Sequence, residues 1–296
     1  TVGGSEAIDA AFRALLNPGD EVAYIEPSFV SYLPCVVMAD GVPVPIALTE
    51  ENAFRLQSVE LEAVLTERTK VLMISYPNNP TGAIMEREDL EAIAEVVKEH
   101  DLLVLSDEIY SELTYKEPHV SIASLPDMKE RTIVINGFSK AFAMTGWRLG
   151  YAMGNAEIIE QMVKIHQFGI MSAPTVSQYA AIDALKNSEE DVRAMRDSYN
   201  QRRRFLMNFF RNVGLPCFEP YGAFYVFPNI SEFGMSSEEF ATELLREEKV
   251  AVVPGDAFGA CGEGYIRVSY AYSIEELKRA TKRLEHFILN LRKKRK

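Results

Sequence analysis

Residues 71–105 hold the reading that decides the fold. Val71-Leu72-Met73-Ile74 is a short apolar run, Pro77-Asn78-Asn79-Pro80-Thr81-Gly82 breaks it, an amphipathic pattern follows over about 87–100, and residues 102–105 are apolar again. An apolar run without alternation suits a strand buried on both faces, and the 3.6-residue period between the two runs suits a helix. A helix carrying the chain from one strand to the next is the crossover unit of a parallel sheet.

Working outward, the same alternation recurs. Residues 7–16 carry apolar side chains at helical spacing and stop at Asn17-Pro18-Gly19-Asp20, residues 21–25 read as a strand, and residues 133–135 as another. The expected architecture is α/β, with a mainly parallel sheet sandwiched by helices. From about Asn187 the texture changes. A long charged helix to about Asn212 leads to strands near 223–227, 250–253 and 265–270, with helices near 237–247 and 274–291. This predicts a large domain over 1–186 and a smaller α+β domain over 187–296.

The 296 residues include 31 basic and 43 acidic side chains, a formal net charge of −12. An acidic surface repels a phosphate backbone, so no nucleic-acid partner is expected. The basic run Arg292-Lys293-Lys294-Arg295-Lys296 reads as the solvated end of the last helix. Cys35, Cys217 and Cys261 are too scattered for a disulfide framework or a metal pair, which suggests a reducing, cytoplasmic setting. No apolar run approaches the roughly 20 residues that cross a bilayer, so no membrane partner is expected. His100, His119, His166 and His286 lack metal-ligand spacing and read as structural. Thr1-Val2-Gly3-Gly4 runs from a glycine turn straight into a helix and reads like the middle of a chain, which predicts a preceding segment.

In open α/β sheets, ligands bind beyond the carboxyl ends of the strands. Three apolar runs end there in unusual chemistry: Asn78-Asn79-Pro80-Thr81-Gly82, Ser106-Asp107-Glu108-Ile109-Tyr110 and Asn136-Gly137-Phe138-Ser139-Lys140. Gly3-Gly4-Ser5 opens a helix whose free N–H groups suit a phosphate, and Arg148 lies near enough in sequence to Lys140 to serve the same anion. Taken singly, each feature has a plainer reading: a turn, a tight loop, a helix cap at Asp107, a core aromatic at Tyr110, a surface lysine at Lys140. Their coincidence at one sheet edge points instead to a phosphate-bearing cofactor that meets a lysine.

These residues resemble a known family. Asn79-Pro80-Thr81-Gly82, Asp107-Glu108-Ile109-Tyr110, and Ser139-Lys140 followed by Gly146-Trp147-Arg148-Leu149-Gly150 are similar to the signatures of class I aminotransferases, pyridoxal 5'-phosphate enzymes of fold type I. The resemblance implies a homodimer, each subunit having a large domain with a mainly parallel sheet of the seven-stranded type and a small domain that moves on substrate binding. It also implies roles. Lys140 would form the Schiff base with the cofactor and shuttle the proton; Asp107 would pair with the pyridine nitrogen; Asn79 and Tyr110 would bond the phenolic oxygen. Phe29 would stack on the ring. Gly4, Ser5, Ser139 and Arg148 would hold the phosphate, and Arg267 the substrate α-carboxylate. Gly137 stands where many members carry a serine, so one hydroxyl contact to the phosphate is expected to be absent. Members also carry a segment ahead of the position of Thr1, with a loop over the substrate and a tyrosine for the neighbouring subunit.

The implied activity is transfer of the amino group of an L-amino acid, aspartate or aromatic, to a 2-oxo acid such as 2-oxoglutarate. Two alternatives share the residues: a carbon–sulfur β-lyase that uses the same cofactor, and a non-catalytic cofactor-binding regulatory module.

Overall fold

The computed structural model describes residues 1–294. Helix α1 (Gly4–Leu15) turns Ala7, Ile8, Ala11, Phe12 and Leu15 inward and stops two residues short of Pro18, which cannot continue it. There follow β1 (Glu21–Glu26), α2 (Tyr32–Met38), β2 (Val42–Ala47), α3 (Ser58–Glu62), β3 (Thr69–Ser75), α4 (Arg87–Glu99) and β4 (Leu103–Asp107). Next come β5 (Thr132–Gly137), β6 (Gly150–Met153), α5 (Ala156–Gly169) and α6 (Thr175–Asn187).

The six strands form one sheet in the order β2-β1-β3-β4-β5-β6. All neighbours run parallel except β6, which is antiparallel to β5. The seven-stranded pattern implied by the family thus appears as six assigned strands. Thr1 accounts for the difference: it exchanges both backbone hydrogen bonds with Gly150, at 2.8 and 3.0 Å, on the outer edge of β6. A single residue in an antiparallel pair is too short to count as a strand.

Both faces of the sheet are buried, as the unalternating apolar runs require. Ala23, Ile25, Leu72, Ile74 and Val104 point to one core, under α3 and α4. Val22, Tyr24, Val71, Met73 and Leu105 point to the other, under α1, α2 and α5. At the β5–β6 pair the backbones approach so closely that a Cβ on Gly137 would lie 2.9 Å from Gly150 Cα and from Leu149 O. A side chain there would push β6 away, so the position suits glycine.

The rest of the chain contributes α7 (Glu189–Val213), β7 (Tyr225–Val226), α8 (Ser237–Glu248), β8 (Val253–Pro254), β9 (Ile266–Ser269) and α9 (Ile274–Lys294). The three strands form a second sheet, β7-β9-β8, antiparallel throughout. Leu206, Phe210, Val226, Phe240, Ile266, Tyr270, Leu284 and Phe287 build its core. The strand expected over 223–227 is only two residues long, and the reason is visible. Tyr221 and Gly222 donate their N–H groups to Gly82 O, and Ala223, at φ 55°, donates to Leu113 O. These residues are tied to the first part of the chain and are lost to the second sheet.

Arg203 fixes that tie from the α7 side. Though 94% of its surface is covered, its guanidinium donates to Glu219 Oε1 at 2.8 Å and Pro220 O at 3.1 Å, and its Nε to Asn200 Oδ1 at 3.0 Å. Its charge is therefore paired and its donors used, as burial demands. The basic C-terminal run is not wholly a solvated end: Arg292 donates to Val213 O and pairs with Glu232. Arg295 and Lys296 lie outside the described residues.

Candidate functional site

The parallel strands deliver their last residues to one edge, and the sequence-predicted residues meet there. Gly4, Ser5, Phe29, Asn79, Asp107, Tyr110, Ser139, Lys140, Arg148 and Arg267 all line one cavity of about 340 Å³. Asp107 ends β4, Ser139 and Lys140 follow β5, Gly4 and Ser5 open α1, and Arg267 reaches in from β9. A larger cavity of about 660 Å³ lies between α7, α9 and the β8–β9 strands, and of these residues it takes in only Arg267.

At one end the cavity suits an anion. Helix α1 begins at Gly4 with no side chain capping its N-terminus, so its first N–H groups and the positive end of its dipole are open to a ligand. Arg148 is exposed beside them, its Nη1 bonded to Thr145 O and its Nη2 to Val2 O. Gly3, at φ 87°, makes room for it: a Cβ there would lie 2.4 Å from Arg148 Nη2. Ser139 is buried close by.

In the middle sit an acid and an amine. Asp107 is buried; its Oδ2 accepts from the Tyr32 hydroxyl at 2.8 Å and its Oδ1 from Ile109 N–H at 3.1 Å. Burial pushes its carboxyl up to about 6, against the pull of those two donors. A cation placed against it would hold it ionised. Lys140 Nζ lies 5.8 Å from the ring centroids of both Tyr110 and Phe224. Burial lowers the Lys140 ammonium below its ordinary value, Asp107 opposes the shift, and Arg267 and Arg148 add to it. The shift enlarges the share of the neutral amine, the nucleophilic form.

At the other end Arg267 is half-buried among aromatic rings. Its guanidinium lies 4.4 Å from the Tyr225 ring centroid and 4.7 Å from that of Phe258, and Nη1 donates to Asn79 Oδ1 at 2.7 Å. Its Nε is buried without a hydrogen-bond partner, a donor that a carboxylate would satisfy. Tyr110, also buried, bonds Tyr225 hydroxyl to hydroxyl at 2.9 Å. Phe29 stands in the cavity wall with its ring edge-on to Tyr32, at 5.8 Å between centroids.

Six lining residues escape the sequence reading: Ile8, Tyr32, Ser75, Ile109, Thr145 and Tyr225. Tyr32 and Tyr225 look like core aromatics in their local sequence, and no neighbouring residue marks them as anything else. Three of the four histidines pair with acids outside the cavity lining: His119 with Glu108, His166 with Glu6 and His286 with Glu248.

A helix end with an arginine for a phosphate, a buried acid for a ring cation and a half-buried amine for an aldehyde match the functional groups of pyridoxal phosphate one by one. The comparisons with known proteins agree. The family described as aminotransferase class I and II matches residues 1–284. A putative aminotransferase, YugH, of Bacillus subtilis is 53% identical over 288 residues, spanning 97% of this chain and 75% of that protein. An aspartate aminotransferase of Pyrococcus abyssi is 48% identical, spanning 96% of this chain and 74% of that protein. The crystal structure of an aromatic aminotransferase from Pyrococcus horikoshii superposes with a TM-score of 0.96 at 46% identity, over 98% of this chain and 78% of that one. No helix among the described residues is long and apolar enough to cross a membrane. The chain belongs to the class I and II aminotransferases, pyridoxal-phosphate-dependent enzymes of fold type I that transaminate amino acids.

Proposed function

We propose that this chain moves the amino group of an L-amino acid, aspartate or aromatic, to a 2-oxo acid such as 2-oxoglutarate, and that Lys140 is its catalytic residue. The observation that carries this reading is the meeting of all the sequence-predicted residues in one cavity. The names of the similar enzymes, aspartate and aromatic aminotransferases, support the donor class.

Bound pyridoxal phosphate supplies an electron-accepting ring conjugated to the carbon that exchanges the amino group. In this reading the protein does the rest. The Lys140 amine would hold the cofactor at its aldehyde carbon and would be the group that takes up and returns the proton at the donor Cα. The Asp107 carboxylate keeps the ring nitrogen protonated, and the Tyr32 hydroxyl keeps that carboxylate oriented. Asn79 and Tyr110 bond the phenolic oxygen, and Phe29 covers a ring face. The α1 amino end at Gly4 and Ser5, the Ser139 hydroxyl and Arg148 hold the phosphate. Arg267 takes the α-carboxylate of donor and acceptor alike, with Asn79 fixing its plane.

The division into a large part over 1–186 and a small part over 187–296, a cytoplasmic setting, consistent with three free cysteines, and a homodimer belong to the same reading. For the dimer, the support is an apolar surface on α5 and α6, where Phe168, at 93% exposure, is joined by the exposed Met171, Val176, Tyr179 and Leu185. Isolated monomers rarely leave so many large apolar side chains in water. Sedimentation at micromolar concentration should give twice the chain mass, and Phe168→Asp should shift the protein toward monomer; a wild-type protein that stays monomeric would remove the dimer from this reading.

The activity is tested by the visible spectrum of the purified protein with pyridoxal phosphate, before and after excess L-glutamate, L-aspartate or L-tyrosine. Loss of the long-wavelength band in favour of a shorter-wavelength one, reversed by 2-oxoglutarate, is the expected result. A band that ignores every amino acid would count against transamination, and pyruvate released from L-cystine or cystathionine without an oxo-acid acceptor would favour β-elimination.

A further inference from the structure

Tyr225 stands at the junction of two parts of the site that the roles above treat as separate. It lies on β7, paired with Ser269 of β9, so Arg267, two residues along the same face of β9, is its diagonal neighbour. That register explains why the Tyr225 ring covers the guanidinium at 4.4 Å. The same side chain ends in a hydroxyl 2.9 Å from the hydroxyl of Tyr110, which sits beyond β4 on the other sheet. One residue therefore touches both the cation assigned to the substrate carboxylate and the phenol assigned to the cofactor oxygen.

We propose that Tyr225 is a positioning residue for transamination, its hydroxyl donating to Tyr110 so that the Tyr110 proton is directed at the cofactor's phenolic oxygen, and its ring fixing Arg267. The inference rests on the roles assigned above to Tyr110 and Arg267. A tyrosine hydroxyl has one proton to donate. If Tyr110 gives its proton to Tyr225, none remains for the cofactor; if Tyr225 is the donor, Tyr110 is left with its proton free and is polarised as a better donor. Both phenols are buried, and burial holds each above its ordinary value, so both act as neutral hydroxyls. The arrangement also gives Arg267 and Tyr110 a shared neighbour, through which the two ends of the cavity keep a common geometry.

The test uses the holoenzyme and the pH midpoint of its visible band. A donor to the phenolic oxygen stabilises the more negative, deprotonated form, so weakening that donor raises the midpoint. Tyr225→Phe, which keeps the ring and removes only the hydroxyl, should raise it by a few tenths of a pH unit, because it removes the polarisation of the Tyr110 bond and not the bond itself. Tyr110→Phe should raise it further. In the Tyr110→Phe background, Tyr225→Phe should add nothing, because its effect passes through Tyr110. The Michaelis constant for the amino donor should stay within about twofold in Tyr225→Phe and rise about three- to tenfold in Tyr225→Leu, which uncovers Arg267. An unmoved midpoint in Tyr225→Phe, beside a moved one in Tyr110→Phe, overturns this inference alone. An equal shift with and without Tyr110 also overturns it. If Tyr110→Phe leaves the midpoint in place as well, the role of Tyr110 falls and this inference falls with it.

Discussion

Lys140→Ala is expected to lower transamination about ten-thousandfold while leaving the fold intact, the upper end of what a positioned proton-transfer group contributes. Two losses combine in that figure. The covalent hold on the cofactor disappears, and no other amine is placed to replace it: the other basic groups at the cavity, Arg148 and Arg267, are guanidiniums. The proton carrier at the donor Cα disappears as well. The fold should not suffer, because Lys140 is an amine whose charged form is disfavoured where it sits. Removing a group of that kind takes away a desolvation cost, so the melting temperature should hold or rise slightly. Borohydride reduction followed by mass spectrometry of the peptide containing Lys140 provides the direct readout: the wild-type peptide should gain the cofactor's mass and the variant should not. A variant that keeps full activity and the wild-type spectrum would refute the assignment of Lys140.

How much of this was legible in the sequence depends on whether a residue's meaning is local. Asp107, Lys140 and the Asn79 loop each follow an apolar run, and the parallel topology carries all such positions to one edge, so their convergence could be read before any coordinates were seen. The helix opening at Gly4 was legible as a glycine turn before an amphipathic run, and its meaning came from the residues that converge with it. Tyr225 was not. In Gly222-Ala223-Phe224-Tyr225-Val226 it is one more aromatic in a strand, and its partners Tyr110 and Arg267 lie 115 and 42 positions away. Only the pairing of β7 with β9, and the strap of residues 221–223 tied to Gly82 and Leu113, bring the three together. Tyr32 escaped likewise, since its hydroxyl meets Asp107 across the sheet. The short β7 has the same origin: residues that β-propensity assigns to a strand spend their N–H groups on tertiary contacts. The edge of the large sheet was legible only as a family trait, because Thr1 alone marks the place beside β6.

Arg267→Leu is the second change with a large expected effect, and its signature should differ in kind from that of Lys140→Ala. The guanidinium is covered by the Tyr225 and Phe258 rings, held in plane by Asn79, and left with an unpartnered buried Nε. A carboxylate arriving there meets an oriented donor pair in a setting of low dielectric. Truncating one side of such a buried charge pair costs about 2–5 kcal/mol, which is a loss of roughly 30- to 4,000-fold in kcat/KM. The α-carboxylate is held from binding through the transition state, so most of the loss should appear as a raised KM, with kcat falling less. Because amino donor and oxo-acid acceptor present the same group, both should be affected alike. A simple amine without a carboxylate, which is expected to react slowly with the wild-type protein, should react no more slowly with the variant. The visible band should persist, because Lys140 and the phosphate end are untouched, while its pH midpoint should rise, because the Arg267 charge is one of the influences that lower the Lys140 ammonium. Equal KM values for variant and wild type would mean that the carboxylate is held elsewhere, and the unpartnered Nε would then need another explanation. A collapse of kcat with KM unchanged would point to a role for Arg267 at the reacting carbon instead of at the carboxylate.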